Sequence, residues 1–146
     1  MADTRESTAN FTAEERAAMQ ERAAEVRTAR RRPKGADPEA EVLAKIAELP
    51  DDERAMAERV HAIVREVAPA LTPRTWYGMP AYGAGKAVLF FQPASKFKAR
   101  YATLGFNEDA RLDDGGMWPT AYALTRLGEA EEAAVRELVR RAAGEA

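Results

Sequence analysis

The chain contains no cysteine. Disulfides, thiolate nucleophiles and cysteine-ligated zinc are thereby excluded. It has one histidine, His61, which cannot by itself anchor a typical transition-metal site and leaves little material for a nucleophile relay. His61 stands one residue off the apolar face of its expected helix, beside Val60 and Ile63, which reads as a boundary or core histidine. Serine is nearly absent too: Ser7 lies in the polar N-terminus and Ser95 in an expected hairpin loop, and neither has a nucleophile-elbow context. No apolar run approaches the roughly 20 residues of a membrane helix. Met1 to Asn10 has no apolar h-region of the kind a signal peptide carries. A cytoplasmic protein without membrane contact is the expectation. A net charge of -2 argues against specific nucleic-acid binding, which favours a basic domain.

The most informative absence is local. From Val67 to Phe106 there is not one Asp or Glu, while Arg74, Lys86, Lys96, Lys98 and Arg100 are all present. The same stretch holds Trp76, Tyr77, Tyr82, Phe90, Phe91, Phe97, Tyr101 and Phe106. Acidic segments flank it on both sides. A cationic, aromatic, acid-free stretch is where an anionic or planar partner would dock.

At 146 residues the chain is long enough to bury a core, although much of its 46% hydrophobic content is alanine. Thr12 and Glu15 have the spacing of a capping box, which predicts a helix from Ala13 to about Arg30. Its apolar stripe of Met19, Ala23 and Val26 is thin, so the helix is expected at the periphery. Arg30-Arg31-Arg32-Pro33 closes it and suits the helix dipole. Residues 1–36 therefore read as a polar N-terminus, a helical arm and a linker, and residues 37–146 as an α+β domain. Asp37-Pro38 predicts a second helix, with Val42, Leu43, Ile46 and Leu49 on one face up to Pro50. Asp51, Asp52 and Glu53 open a third, in which Met56, Val60, Ile63, Val64 and Val67 give the clearest helical period. After Pro73 the pattern changes. Arg74–Met79, Ala87–Gln92 and Ala99–Phe106 read as strands bounded by Gly and Pro, with Pro80–Lys86 and Pro93–Lys96 as hairpin connections. Trp118–Leu124 is a fourth strand, confined by Pro119 to an edge. Leu127–Ala143 is a last helix with Leu127, Ala134, Val135, Leu138 and Val139 inward. The expected fold is a small antiparallel sheet packed against helices, with a peripheral N-terminal helix.

At Thr75-Trp76-Tyr77-Gly78-Met79-Pro80-Ala81-Tyr82, followed by Gly85-Lys86, the chain resembles the YdhG-like domain family (domain of unknown function 1801). That family's hallmark is a strand ending in a Tyr-Gly-Met/Val-Pro-aromatic turn, a Gly-Lys pair, an apolar strand and a lysine leading into another strand. These fall here on Tyr77–Tyr82, Gly85-Lys86, Val88–Phe91 and Lys96. The resemblance spans roughly Val42 to Val139, and Arg100–Leu124 resembles one branch of the family rather than its shared core. It implies a compact α+β domain and says little about activity. Some relatives are described as frataxin-like iron chaperones, which is an analogy at the level of fold.

Alternation along Phe97–Tyr101 places Lys98 and Arg100 on one strand face. With Arg74, Lys86 and Lys96 they could border a groove walled by Trp76, Tyr77 or Trp118. The alternative is a solvated face whose charges pair with neighbouring acidic helices. Asp51-Asp52-Glu53 with Glu58, or Glu108-Asp109 with Asp113-Asp114, could hold a hard cation, though neither has calcium-loop spacing. No catalytic residue, metal ligand or cofactor is singled out. Gly83–Lys86 has the wrong spacing for a phosphate loop. Three functional expectations follow: a non-enzymatic module binding a small anionic ligand or an acidic protein surface, an iron chaperone using acidic helices, and an interaction protein docking through its N-terminal helix, as monomer or homodimer.

Overall fold

Thr12 and Glu15 do form a capping box. The Glu15 amide donates to Thr12 Oγ1 at 3.0 Å and the Thr12 amide donates to Glu15 Oε1 at 3.3 Å. They open helix α1 (Ala13–Arg31) in a computed structural model that describes residues 11–31 and 38–144. Ser7, Asp37 as helix cap and the linker from Lys34 lie outside the described residues. Helix α2 (Glu39–Ala47) buries Val42 and Ile46, whereas Leu43 is exposed. Helix α3 (Asp51–Val67) buries Ala57, Val60, His61, Ile63 and Val64 on one side. Its first-turn acids meet the positive end of the helix dipole, as expected there.

Five strands follow: β1 (Pro73–Trp76), β2 (Met79–Tyr82), β3 (Leu89–Gln92), β4 (Ala102–Phe106) and β5 (Ala121–Leu124). They pair antiparallel in chain order. Helix α4 (Glu129–Ala142) ends the fold, burying Val135 and Val139; Ala134, expected inward, is exposed. The fold is α+β. Among the described residues no helix is long and apolar enough to cross a membrane.

The strands differ from the expected spans: β3 and β5 begin later than expected, at Leu89 and Ala121, and two further differences have a local reason. Arg74–Met79 is not one strand but a hairpin. Tyr77 and Gly78 both have positive φ, 54° and 77°, and Trp76 pairs with Met79 across them. Two positive-φ central residues make a type I′ turn, the form whose twist suits a tight hairpin. Pro80 and Tyr82 therefore belong to a strand rather than to a connection. The proline is tolerated because the β2–β3 ladder runs over Ala81 and Tyr82, leaving Pro80 outside it. Phe97–Tyr101 is likewise not a strand. A 3₁₀ turn at Ala94–Lys96 leads into it, the Ala99 amide donates to the Ala94 carbonyl at 2.9 Å, and Lys98 takes a φ of 54°. The backbone is satisfied locally, so the alternation that set Lys98 and Arg100 on one face does not apply.

Cross-strand register divides the sheet into two faces. Tyr82, Leu89, Phe91, Leu104 and Leu124 share a core with Val42, Ile46, Val60, Ile63, Val64 and Val139. Trp76, Met79, Phe90 and Gln92 point to the other side. There Phe90 lies over Gly105 of the adjacent strand, where a Cβ would come within 2.2 Å of the ring. Helix α1 packs against the edge strand β1 and reaches over this second face. It thus covers one of the sheet's two free edges, which natural sheets need to protect.

Candidate functional site

Along α1, Glu14, Ala18, Glu21 and Glu25 recur at intervals of four, three and four residues, which puts them on one side of the helix. That side, not the Met19–Ala23–Val26 stripe, faces the sheet. Ala18, 4% exposed, is its buried apolar residue; Met19 is 39% exposed. The docking is made by carboxylates. Glu14 Oε1 lies 2.9 Å from Lys98 Nζ. Glu21 Oε1 accepts from Lys96 Nζ at 2.9 Å, and its Oε2 lies 3.7 Å from Lys45 of α2. Glu25 accepts from two successive turn amides, Tyr77 N–H at 2.9 Å and Gly78 N–H at 2.6 Å. Those amides are free to receive it because a type I′ turn directs them away from the hairpin ladder.

Local sequence explains how each partner is held. Two features favour glycine at Gly78. Its φ is positive, and a Cβ would sit 1.5 Å from Glu21 Oε2 and 2.6 Å from Lys96 Nζ. Lys96 ends the 3₁₀ turn, which is fixed from α3 by Glu53 accepting from the Ser95 amide at 2.7 Å. Arg22 places its guanidinium 5.9 Å from the Tyr77 ring centroid and pairs with Glu25 at 3.5 Å. The hydrogen bond from Lys98 holds the Glu14 carboxyl below its ordinary range, and Glu14 in turn raises the Lys98 ammonium. Both groups are at the surface, so solvent weakens the pair.

Under the first turns of α1 lies a cleft of about 580 Å³. Its walls are Trp76, Tyr77, Phe90, Phe97, Met79 and Met19, and Glu14 stands at its mouth. The Trp76 ring packs against Phe90 and Tyr77, each with centroids 5.1 Å away, tilted and edge-on respectively. The volume is within the range of small-molecule sites, and the mostly apolar lining with few polar groups is typical of them.

The eight residues singled out in the sequence divide. Trp76, Tyr77, Lys96 and Lys98 come together beneath α1. Arg74 is at the far end of β1, in a smaller cleft of about 250 Å³ with Arg22 and Glu25; its guanidinium donates to the Gly85 carbonyl. Lys86 is exposed in the β2–β3 link. Arg100 rests its guanidinium 5.1 Å from the Tyr101 ring centroid. Trp118 lines a different cleft of about 620 Å³ with Phe106, Leu112 and the 88% exposed Met117.

The residues missed in the sequence are Glu14, Ala18, Glu21 and Glu25, with Lys45, Met79, Phe90 and Gln92. A signal for the first four was present: acids at heptad-like spacing in a helix whose apolar stripe is too thin to dock it.

The acidic cluster at the start of α3 is used otherwise. Asp51 pairs with Arg54 at 2.9 Å and Glu58 approaches the same arginine at 4.0 Å, while Glu53 holds Ser95. Among the described residues no three His, Asp or Glu side chains converge as metal ligands would. His61 is buried away from the cleft, between Tyr82 and Glu39. No protein-family model matches this chain, and no curated protein and no solved structure matches it.

Proposed function

We propose that this chain is a small non-enzymatic binding module of the YdhG-like type, whose aromatic cleft takes a planar, largely apolar ligand bearing one anionic group. The observation that carries this is the cleft of about 580 Å³ with aromatic walls, lined also by Glu14, whose carboxylate is held 2.9 Å from Lys98 Nζ. The ligand's rings lie against Trp76, Phe90 and Phe97, where offset and edge-on contacts add to the burial of apolar area. Its anionic group replaces Glu14 at Lys98, whose side chain is 81% exposed and therefore free to follow it. This keeps the anionic partner expected from the acid-free segment but narrows the cations to the one paired with the cleft's Glu14. The iron-chaperone expectation has no specific observation in its favour: among the described residues no three His, Asp or Glu side chains converge as metal ligands would.

The test uses Trp76 emission in a Trp118→Phe background, titrated with 2-naphthoate and with uncharged 2-naphthalenemethanol. The expected result is saturable quenching by both, with the carboxylate tighter by about tenfold, the order of one charge-assisted contact. Lys98→Gln should abolish that preference and leave the neutral probe unchanged. Equal affinity for the two probes would refute the anionic group, and absence of saturable quenching would refute the cleft as a binding site.

A further inference from the structure

Helix α1 is attached to the rest of the fold by a polar latch, and its own sequence favours the helical form on whichever surface it docks. Six of its residues, Ala13, Ala17, Ala18, Ala23, Ala24 and Ala29, are the best helix former. Its capping box satisfies amides at the first turn. Glu14 and Glu15 in that turn and Arg30 and Arg31 in the last suit the dipole at each end. Only Ala18 is buried along its 19 residues. The surface it leaves behind is just as defined: Lys98, then Lys96 with Lys45, then the paired amides of Tyr77 and Gly78. These positions meet carboxylates spaced as Glu14, Glu21 and Glu25 are, with a small residue at the position of Ala18.

We infer that this surface accepts the α1 helix of a second copy of the chain, giving a reciprocal dimer in which each copy supplies Glu14, Glu21 and Glu25 to the other. The charge pattern selects this occupant. The second copy carries the same acids at the same spacing, and every contact of the closed monomer is reproduced in the exchanged pair. Exchange of an identical element is a low-cost route to a symmetric dimer. Electrostatic docking also makes the exchange salt-dependent, because the surface pairs are screened. While α1 is away the aromatic cleft lacks the wall that carries Met19, and the α1 of the second copy restores it.

A charge reversal in two full-length variants tests this. The first carries Lys96→Glu and Lys98→Glu. The second carries Glu14→Lys and Glu21→Lys. Each variant alone sets like charges against each other and should be a monomer with Tyr77 and Gly78 amide resonances displaced from their wild-type positions. When the two are mixed, the acidic α1 of the first fits the lysines of the second, and the lysine-bearing α1 of the second fits the acids of the first. The expected result is a one-to-one heterodimer by native mass spectrometry, with the Tyr77 and Gly78 resonances of the second variant returning to wild-type positions as Glu25 of its partner engages them. Two monomers that remain apart would overturn the inference. So would a complex that leaves those two resonances displaced, since that is attraction between oppositely charged proteins without exchange.

Discussion

The Tyr82 hydroxyl is buried and lies 3.0 Å from His61 Nδ1, while His61 Nε2 lies 2.8 Å from Glu39 Oε1. A carboxylate only accepts, so Nε2–H donates to Glu39, and in the neutral ring Nδ1 then accepts from the tyrosine. One histidine thereby ties α2, α3 and β2 together, and the reading of His61 as a core or boundary residue agrees with its 7% exposure. Nothing in the sequence announced its partners, because Glu39 and Tyr82 are 22 and 21 residues away. Replacing Tyr82 with Phe keeps the ring and leaves Nδ1 without a partner, a loss of about 1–3 kcal/mol by the usual cost of a buried unsatisfied group. Urea unfolding of Tyr82→Phe should show it as a lower midpoint with an unchanged slope. Burial first, and then the Glu39 charge, push the Tyr82 phenol far above its ordinary value of 10.0. The folded state thus keeps a proton that the unfolded state releases. Stability should fall as pH climbs above that ordinary value, and less steeply in Tyr82→Phe than in the wild type.

At the scale of elements, the helices were legible and the first hairpin was not. The period of Met56, Val60, Ile63 and Val64 in α3 is a hydrophobic stripe on a core, and any helix must show one to be buried. The break between β1 and β2 depends on Tyr77 adopting a φ that tyrosine rarely takes. The usual signal, Asn-Gly or Asp-Gly, is absent there, so only the structure reveals it. Helix α1 was placed at the periphery correctly, and its docking side was not, because a search for apolar stripes passes over a stripe of glutamates. That polar docking has a pH signature. The Glu14 carboxyl is lowered by its hydrogen bond to Lys98. A lowered carboxyl contributes stability that is complete above the unfolded value of 4.5 and is lost as pH falls through the lower folded value. Acidification below pH 4.5 should therefore release α1, and added salt at neutral pH should loosen it. Hydrogen exchange of α1 amides, compared with those of Val60–Val64, would register both. Loss of protection confined to α1 is the expected result, and simultaneous loss in α3 would mean that α1 is integral to the core.

For the whole molecule, these two kinds of attachment imply two levels of stability. The core of Val42, Ile46, Val60, Ile63, Leu89, Phe91 and Leu104 is fully or almost fully buried. It is closed on the α4 side by Arg136 to Glu66 at 3.0 Å and by Arg59 to Glu132. Helix α1 shares little of that core, and the chain's acids and bases are divided so that α1 carries the carboxylates the Val67–Phe106 segment lacks. Two cations of that segment, Lys96 and Lys98, are therefore matched by a partner within the same chain, which sequence alone could not distinguish from an external one. Elements that open independently of the core have free energies well below the global value. A triple variant, Glu14→Gln, Glu21→Gln and Glu25→Gln, should accordingly raise exchange at Tyr77, Gly78 and the α1 amides while leaving the main urea transition in place. Ile63→Ala should do the reverse. It removes core volume at a fully buried position, at about 2–5 kcal/mol for such a truncation, and so lowers the main transition without selectively freeing the Tyr77 and Gly78 amides. If the triple variant lowered the main transition as far as Ile63→Ala does, α1 and the sheet would form one cooperative unit. A helix bound that way could not leave its own sheet for another copy's without global unfolding.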